Sequence, residues 1–199
     1  MHIIIHRVNT IQGLRQVPSK YGVEIDIRGG KNGALYLNHE AFGTGDAFDA
    51  YLKQYKQGNH RGTMIFNIKE SGIESRVIEI ASEYGVENYF LLDVEAPYLY
   101  RGSREGVRKM AVRYSEVEPI ETLEYYRGYV DWVWIDTVSE LPLNKRIIEK
   151  LNGFKTCLVC PDRWGRPEDI SLYRKKMLEL GFIPDAVMTA TNCLNAWEK

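Results

Sequence analysis

Cysteine is scarce in this chain, with three in 199 residues. That count excludes a disulfide-framed secreted scaffold and points to a reducing cytoplasm. Cys157 and Cys160 have CxxC spacing, but KTCLVC reads as a strand, where the two thiols face opposite sides and serve packing. No apolar run approaches the roughly 20 residues needed to span a bilayer. MHIIIHR is too short and wrongly flanked for a signal peptide. Charge excess is also missing: a net charge of -1 and a pI near 6.4 argue against a general nucleic-acid binder. There is no GxGxxG after the first strand-like run, no linker, no repeat and no low-complexity segment. The chain reads as one domain over residues 1–199, large enough to bury a sizeable core. Nothing in it fixes an oligomeric state.

Short apolar runs recur from end to end: HIIIH (2–6), VEIDIR (23–28), ALYLNH (34–39), TMIFNIK (63–69), YFLLDVE (89–95), KMAVRYS (109–115), VDWVWID (130–136), KTCLVCP (155–161) and DAVMTAT (185–191). Most are nearly continuous, as in parallel strands buried on both faces. Helical segments are predicted between them at 47–56, 72–84, 120–126, 144–151 and 168–180. The clearest has Ile73, Val77, Ile80 and Ala81 on one helical face. Asp169 and Ser171 offer N-cap chemistry to the last of these helices, and Gly181 suits its end. GGKNG is too short for a crossover, so VEIDIR and ALYLNH form a hairpin or a bent strand. Counting that pair as one unit leaves eight β-units and predicts an α/β fold, a small (β/α)8 TIM-type barrel. A doubly wound open sheet is the alternative.

Polar residues fall at the ends of these runs. His6 and Arg7 close the first, and Glu24 and Asp26 lie two apart on the second. Asn67 and Lys69 close TMIFNIK, and His39 follows the hairpin. In a strand, residues two apart share a face, so the two carboxylates aim into one space and repel. A divalent cation relieves such repulsion, and hard cations take oxygen ligands. Two histidines able to exchange protons near neutral pH flank the pair. Buried charges at strand ends are costly unless paired or bound, so a ring of them is better explained by a ligand than by packing. Together these features point to phosphate-ester chemistry.

The order HR, then ExD, then H after a hairpin resembles the glycerophosphodiester phosphodiesterases, which belong with the phosphatidylinositol-specific phospholipase C type of barrel. The resemblance covers residues 2–70, with His6, Arg7, Glu24, Asp26, His39 and Lys69 matching position by position. It implies phosphodiester hydrolysis with one histidine as base and the other as acid. It also implies a Mg²⁺ or Ca²⁺ ion on Glu24, Asp26 and Asn67, and positive charge from Arg7 and Lys69. Asn67 stands where the family's E-x-K element has its glutamate, offering an oxygen but no charge. RYSEVEP and PDRWGRPED depart from ordinary members and imply a divergent branch with its own substrate pocket. The implied partner is a small glycerophosphodiester or a related polyol or sugar phosphodiester.

For that pocket, Arg113, Glu116 and Asp136 are candidate readers of a polar head, with surface salt bridges as the alternative. Trp134, on the same strand face as Trp132, is either a wall for a glycerol or sugar moiety or core filling. Arg166, flanking Trp164 in DRWGRPED, is a candidate grip for a second phosphate. Asp93 and Glu95 are read as ion pairs, substrate contacts or an extension of the metal site. A non-catalytic barrel that binds a phosphorylated ligand is the rival function. A metal-dependent lyase on the same fold is a third reading, but it gives the two histidines no clear task.

Overall fold

The structure, a computed structural model, describes residues 1–198. It is a (β/α)8 TIM-type fold with eight parallel strands and eight helices. It divides into two compact units, Ile4–Tyr98 and a second made of Met1–Ile3 with Leu99 onward.

The Ile4–Tyr98 unit holds the second half of β1 (His2–Ile5), then α1 (Ile11–Leu14), β2 (Gly22–Gly29), β3 (Leu35–Leu37), α2 (Phe48–Gln57), β4 (Met64–Ile68), α3 (Glu74–Glu83) and β5 (Tyr89–Leu92). Its parallel order is β1-β2-β4-β5, and β3 pairs antiparallel with β2. VEIDIR and ALYLNH are thus a hairpin, turned by Lys31–Gly33 with Asn32 and Gly33 in left-handed conformations. On β2, Val23, Ile25 and Ile27 alternate with Glu24, Asp26 and Arg28. The apolar set shares its face with Phe66, which stands in register with Ile25, and all four side chains are buried. Phe66 meets Phe48 edge-on at 5.3 Å and stacks on Tyr89 at 4.6 Å. In α3 the predicted spacing is realised, with Val77, Ile80 and Ala81 all buried.

The second unit carries the rest of α4 (Ala96–Arg104), then β6 (Ala111–Tyr114), α5 (Glu121–Tyr126), β7 (Trp132–Ile135), α6 (Lys145–Leu151), β8 (Lys155–Val159), α7 (Ile170–Glu179), β9 (Ala186–Thr189) and α8 (Leu194–Trp197). β6, β7, β8 and β9 pair in sequence, all parallel, and His2 N donates to Asp185 O beside β9 at 2.6 Å. All nine predicted strands are present, shortened by a residue or more at most ends. Three helices have no sequence counterpart. α1 and α8 are single turns, while α4 is interrupted in sequence by Pro97 and Gly102. Proline in the first turn costs little, because that N–H has no helical partner. One capping expectation differs: Asp169 precedes α7 but makes no side-chain cap bond, and its carboxylate pairs with Arg166 at 2.7 Å instead.

Cys157, Cys160 and Cys193 are free and buried. Burial raises the Cys157 thiol well above its ordinary range, as expected of packing cysteines. Trp197 donates its indole N–H to Cys160 Sγ at 3.2 Å. Among the described residues no helix is long and apolar enough to cross a membrane.

Candidate active site

The polar face of β2 organises the site within the Ile4–Tyr98 unit. Glu24 and Asp26 are each 1% exposed. The β2–β4 register sets Asp26 beside Asn67, so Asn67 lies on the same face, and Lys69 follows one step further along the same row. Lys69 Nζ is 3.1 Å from Asp26 Oδ1, and Arg7 Nε is 3.8 Å from Asp26 Oδ2. Asn67 Nδ2 donates to Glu24 Oε1 at 2.9 Å. Arg7 N donates to Glu24 Oε2 at 2.7 Å, with His6 Nε2 at 3.9 Å from the same oxygen. To present both its amide and its guanidinium to the acids, Arg7 adopts a left-handed φ of 56°. Non-glycine residues take that conformation rarely, and at functional sites the surrounding structure holds them there.

Electrostatics follow from burial. Desolvation, then the charge of Asp26, pushes the Glu24 carboxyl up to about 7, against the opposing pull of the Asn67, Arg7 and Lys69 donors. The pair therefore keeps a standing demand for positive charge. Asn67 Oδ1 is buried with no hydrogen-bond partner among the described residues. An unpartnered acceptor beside two buried carboxylates fits a hard cation, which takes carboxylate and amide oxygens alike. Glu24, Asp26 and Asn67 therefore suit such an ion chemically, with one carboxylate fewer than an all-acid set. Among the described residues no group of three His, Cys, Asp or Glu side chains is placed to hold a metal.

His39 lies just past β3, half-buried, with Nδ1 2.8 Å from Glu40 Oε1. The Glu40 carboxyl is held below its ordinary range first by that bond and the charge of His39, and then by Arg7 and Arg28. Arg7 and the His39 loop thus share one electrostatic neighbourhood, with the His39 ring bonded to its neighbour Glu40 rather than to the two buried acids. The loop returns tightly along β3: a Cβ on Gly45 would lie 1.9 Å from Leu37 O, so only glycine fits there.

One member of this cluster carries no signal in the sequence. Asn9 Nδ2 donates to Asp26 Oδ2 at 2.7 Å while its Oδ1 accepts Asp26 N at 2.8 Å, a two-point brace on the acid. Asp93, marked in the sequence only by its place at the end of YFLLDVE, takes a left-handed φ of 57° and brings Oδ2 to 3.9 Å from Lys69 Nζ. Glu95 instead accepts from Ser71 Oγ at 2.6 Å.

The candidate substrate readers all lie in the second unit. Asp136, at the end of β7, accepts from Arg113 Nη2 (2.9 Å), Trp134 Nε1 (3.3 Å) and Trp164 Nε1 (2.7 Å). Arg113 also donates to Glu118 at 2.8 Å. Glu116 accepts from the Ser139 hydroxyl at 2.7 Å. Trp134 is 4% exposed, which is packing rather than an open wall. Arg166 is bonded to Asp169 and Tyr173 Oη and to the carbonyls of Thr137 and Val138, fastening its loop. Trp164 is 40% exposed, with the Arg163 guanidinium 5.5 Å from its ring centre.

The site thus consists of buried acids and cations at the ends of parallel strands in a TIM-type fold, where active sites of this fold gather. The same fold is found in glycerophosphodiester phosphodiesterase from Agrobacterium tumefaciens, with a TM-score of 0.69 at 13% identity over 97% of this chain and 99% of that one. Glycerophosphoryl diester phosphodiesterase from Parabacteroides distasonis gives a TM-score of 0.64 at 13% identity, covering 98% of this chain and 85% of that one. No protein-family model matches the sequence, and no curated protein matches it.

Proposed function

We propose that residues 1–199 form one catalytic domain of a phosphoric diester hydrolase, a divergent relative of the glycerophosphodiester phosphodiesterases. Its substrate is a glycerophosphodiester or a related polyol or sugar phosphodiester. The observation that carries this reading is the buried Glu24–Asp26 pair, flanked by Lys69, Arg7 and the unpartnered Asn67 oxygen. The fold shared with the two phosphodiesterases and the motif resemblance over residues 2–70 support it.

In this reading Glu24, Asp26 and Asn67 Oδ1 hold Mg²⁺ or Ca²⁺. When bound, the cation supplies positive charge to the phosphoryl oxygens and lowers the pKa of the attacking hydroxyl. One of His6 and His39 takes the proton from that hydroxyl, and the other delivers a proton to the leaving oxygen. Each role is worth roughly 10²–10⁴-fold in rate. Arg7 and Lys69 add charge to the same oxygens. Arg113, Glu116, Asp136, Trp134 and Arg166 shape recognition of the alcohol side, with Trp134 and Arg166 acting through the loops and side chains they fix. The three free thiols and near-zero net charge support a cytoplasmic protein that acts on a small molecule rather than on nucleic acid.

The test is turnover of a panel of glycerophosphodiesters with Mg²⁺ or Ca²⁺, repeated with His6→Ala and His39→Ala. Metal-dependent turnover that falls at least about 10²-fold in either variant supports the reading; an inert wild type across the panel refutes it.

One observation favours a non-catalytic barrel that binds a phosphorylated ligand: Lys69 and Asn9 already satisfy Asp26 from within the chain. Thermal shift separates the two readings. Stabilisation by a divalent cation favours the enzyme, and stabilisation by a phosphorylated ligand alone favours the binder.

A further inference from the structure

Arg28 is the third polar residue on the inner face of β2, after Glu24 and Asp26. A nearby guanidinium would ordinarily pair with such acids, yet its bonds run elsewhere. Nη2 donates to His39 O at 2.7 Å, and Nε to Asn38 O at 3.2 Å. Nη1 reaches Glu70 Oε1 at 3.2 Å and Lys69 O at 3.4 Å. Glu70 is itself anchored, accepting Gly29 N at 3.0 Å through its other oxygen. The side chain is 11% exposed, so these bonds form largely out of water.

The loop beyond His39 is held at its far end, where Leu37 N donates to Asp46 O at 2.9 Å, but its tip is open. Glu40, Ala41 and Phe42 are exposed, Phe42 completely and with a left-handed φ of 62°. Asn38 supplies the restraint nearest His39. Its N–H donates to Asp26 O at 3.1 Å, its Oδ1 accepts Glu40 N at 2.9 Å, and its Nδ2 donates to Thr44 O at 2.9 Å. The backbone of His39 is therefore held by hydrogen bonds with Arg28 and Asn38, while its ring bonds to Glu40 of the same loop. Arg28 links that backbone to the stretch that carries Lys69.

We propose that Arg28 is a positioning residue. Its planar fork fixes the His39 loop against the Lys69 backbone, setting the imidazole relative to the lysine and the two acids. The proposal rests on the phosphodiesterase reading for the consequence in catalysis, but not for the placement of His39. Lysine keeps the charge and loses the fork, so it does not replace arginine here.

The experiment compares wild type with Arg28→Ala, Arg28→Lys and Glu70→Ala, each checked for an unchanged fold by circular dichroism. Activity on the diester that wild type hydrolyses best should fall about 10²-fold in kcat for Arg28→Ala, with KM little changed. Added guanidinium should restore part of that loss in Arg28→Ala and none in Arg28→Lys. In imidazole NMR, the His39 signals should broaden or double in the Arg28 variants while those of His6 stay put. Should Arg28→Ala fail to fold, Arg28→Lys and Glu70→Ala carry the same readouts. Loss confined to KM, loss without guanidinium rescue, or unaltered His39 signals overturns the proposal. A wild type inert on all diesters refutes the phosphodiesterase reading instead, and the His39 signals then decide the positioning role alone.

Discussion

Asn67 faces Glu24 with its donor end, Nδ2 to Oε1 at 2.9 Å, and its buried oxygen has no partner among the described residues. The amide thus stabilises the ionised form of Glu24 without adding charge. Replacing it by the isosteric acid reverses both effects. Asn67→Asp removes the donor and places a third carboxylate in the cluster, at a cost of about 3 kcal/mol in the absence of metal. With millimolar Mg²⁺ or Ca²⁺ the variant should recover more in melting temperature than wild type gains. Thermal scans with and without cation check both signs.

Asn9 offers a separate test, because it braces Asp26 from both sides and contributes no charge. Asn9→Ala leaves the Asp26 amide and one carboxylate oxygen short of a partner in a buried setting. The expected loss of stability is about 1–3 kcal/mol, measured by urea denaturation, together with a fall in kcat as Asp26 loosens.

Arg7 should separate stability from activity. Glycine adopts φ near +56° without strain, so Arg7→Gly removes a backbone cost of about 1–3 kcal/mol while deleting the guanidinium beside Asp26. The flexibility of glycine in the unfolded chain offsets part of that gain. The variant should unfold within about 1 kcal/mol of wild type and lose most of its turnover.

The pH dependence follows from Glu24. Its carboxyl is raised from 4.5 to about 7, chiefly by burial and then by Asp26. The folded chain therefore binds a proton that the unfolded chain has released. Stability from this group is full below pH 4.5 and is lost as pH rises through about 7. A cation on the same oxygens competes with that proton. The melting-temperature gain from Mg²⁺ or Ca²⁺ should accordingly be large at about pH 8 and small at about pH 6, with a titration series as the measurement.

The sequence shows the strands because β2 and its neighbours are buried on both faces and read as apolar runs. It also shows the two acids, since alternation along one strand is a local property. Contacts made across the fold are less legible. Asn9 reaches Asp26 over 17 residues, and Arg28 reaches Lys69 over 41, with no periodicity to announce either. Helix α4 is hidden by Pro97 and Gly102, whose usual meaning is a break. Arg166 shows the same limit. A basic residue flanking tryptophan reads as a ligand grip, and its bonds to carbonyls and to Asp169 are partners that composition does not reveal.

The alternation along β2 ties foldedness to chemistry. A slip of one position in its pairing would swing Glu24, Asp26 and Arg28 into the hydrophobic layer and Val23, Ile25 and Ile27 out of it. No halfway register retains part of the polar array, so a misregistered molecule is silent rather than sluggish. Specific activity per molecule in a refolded sample therefore counts correctly threaded chains, and catalysis itself becomes the assay for strand alignment.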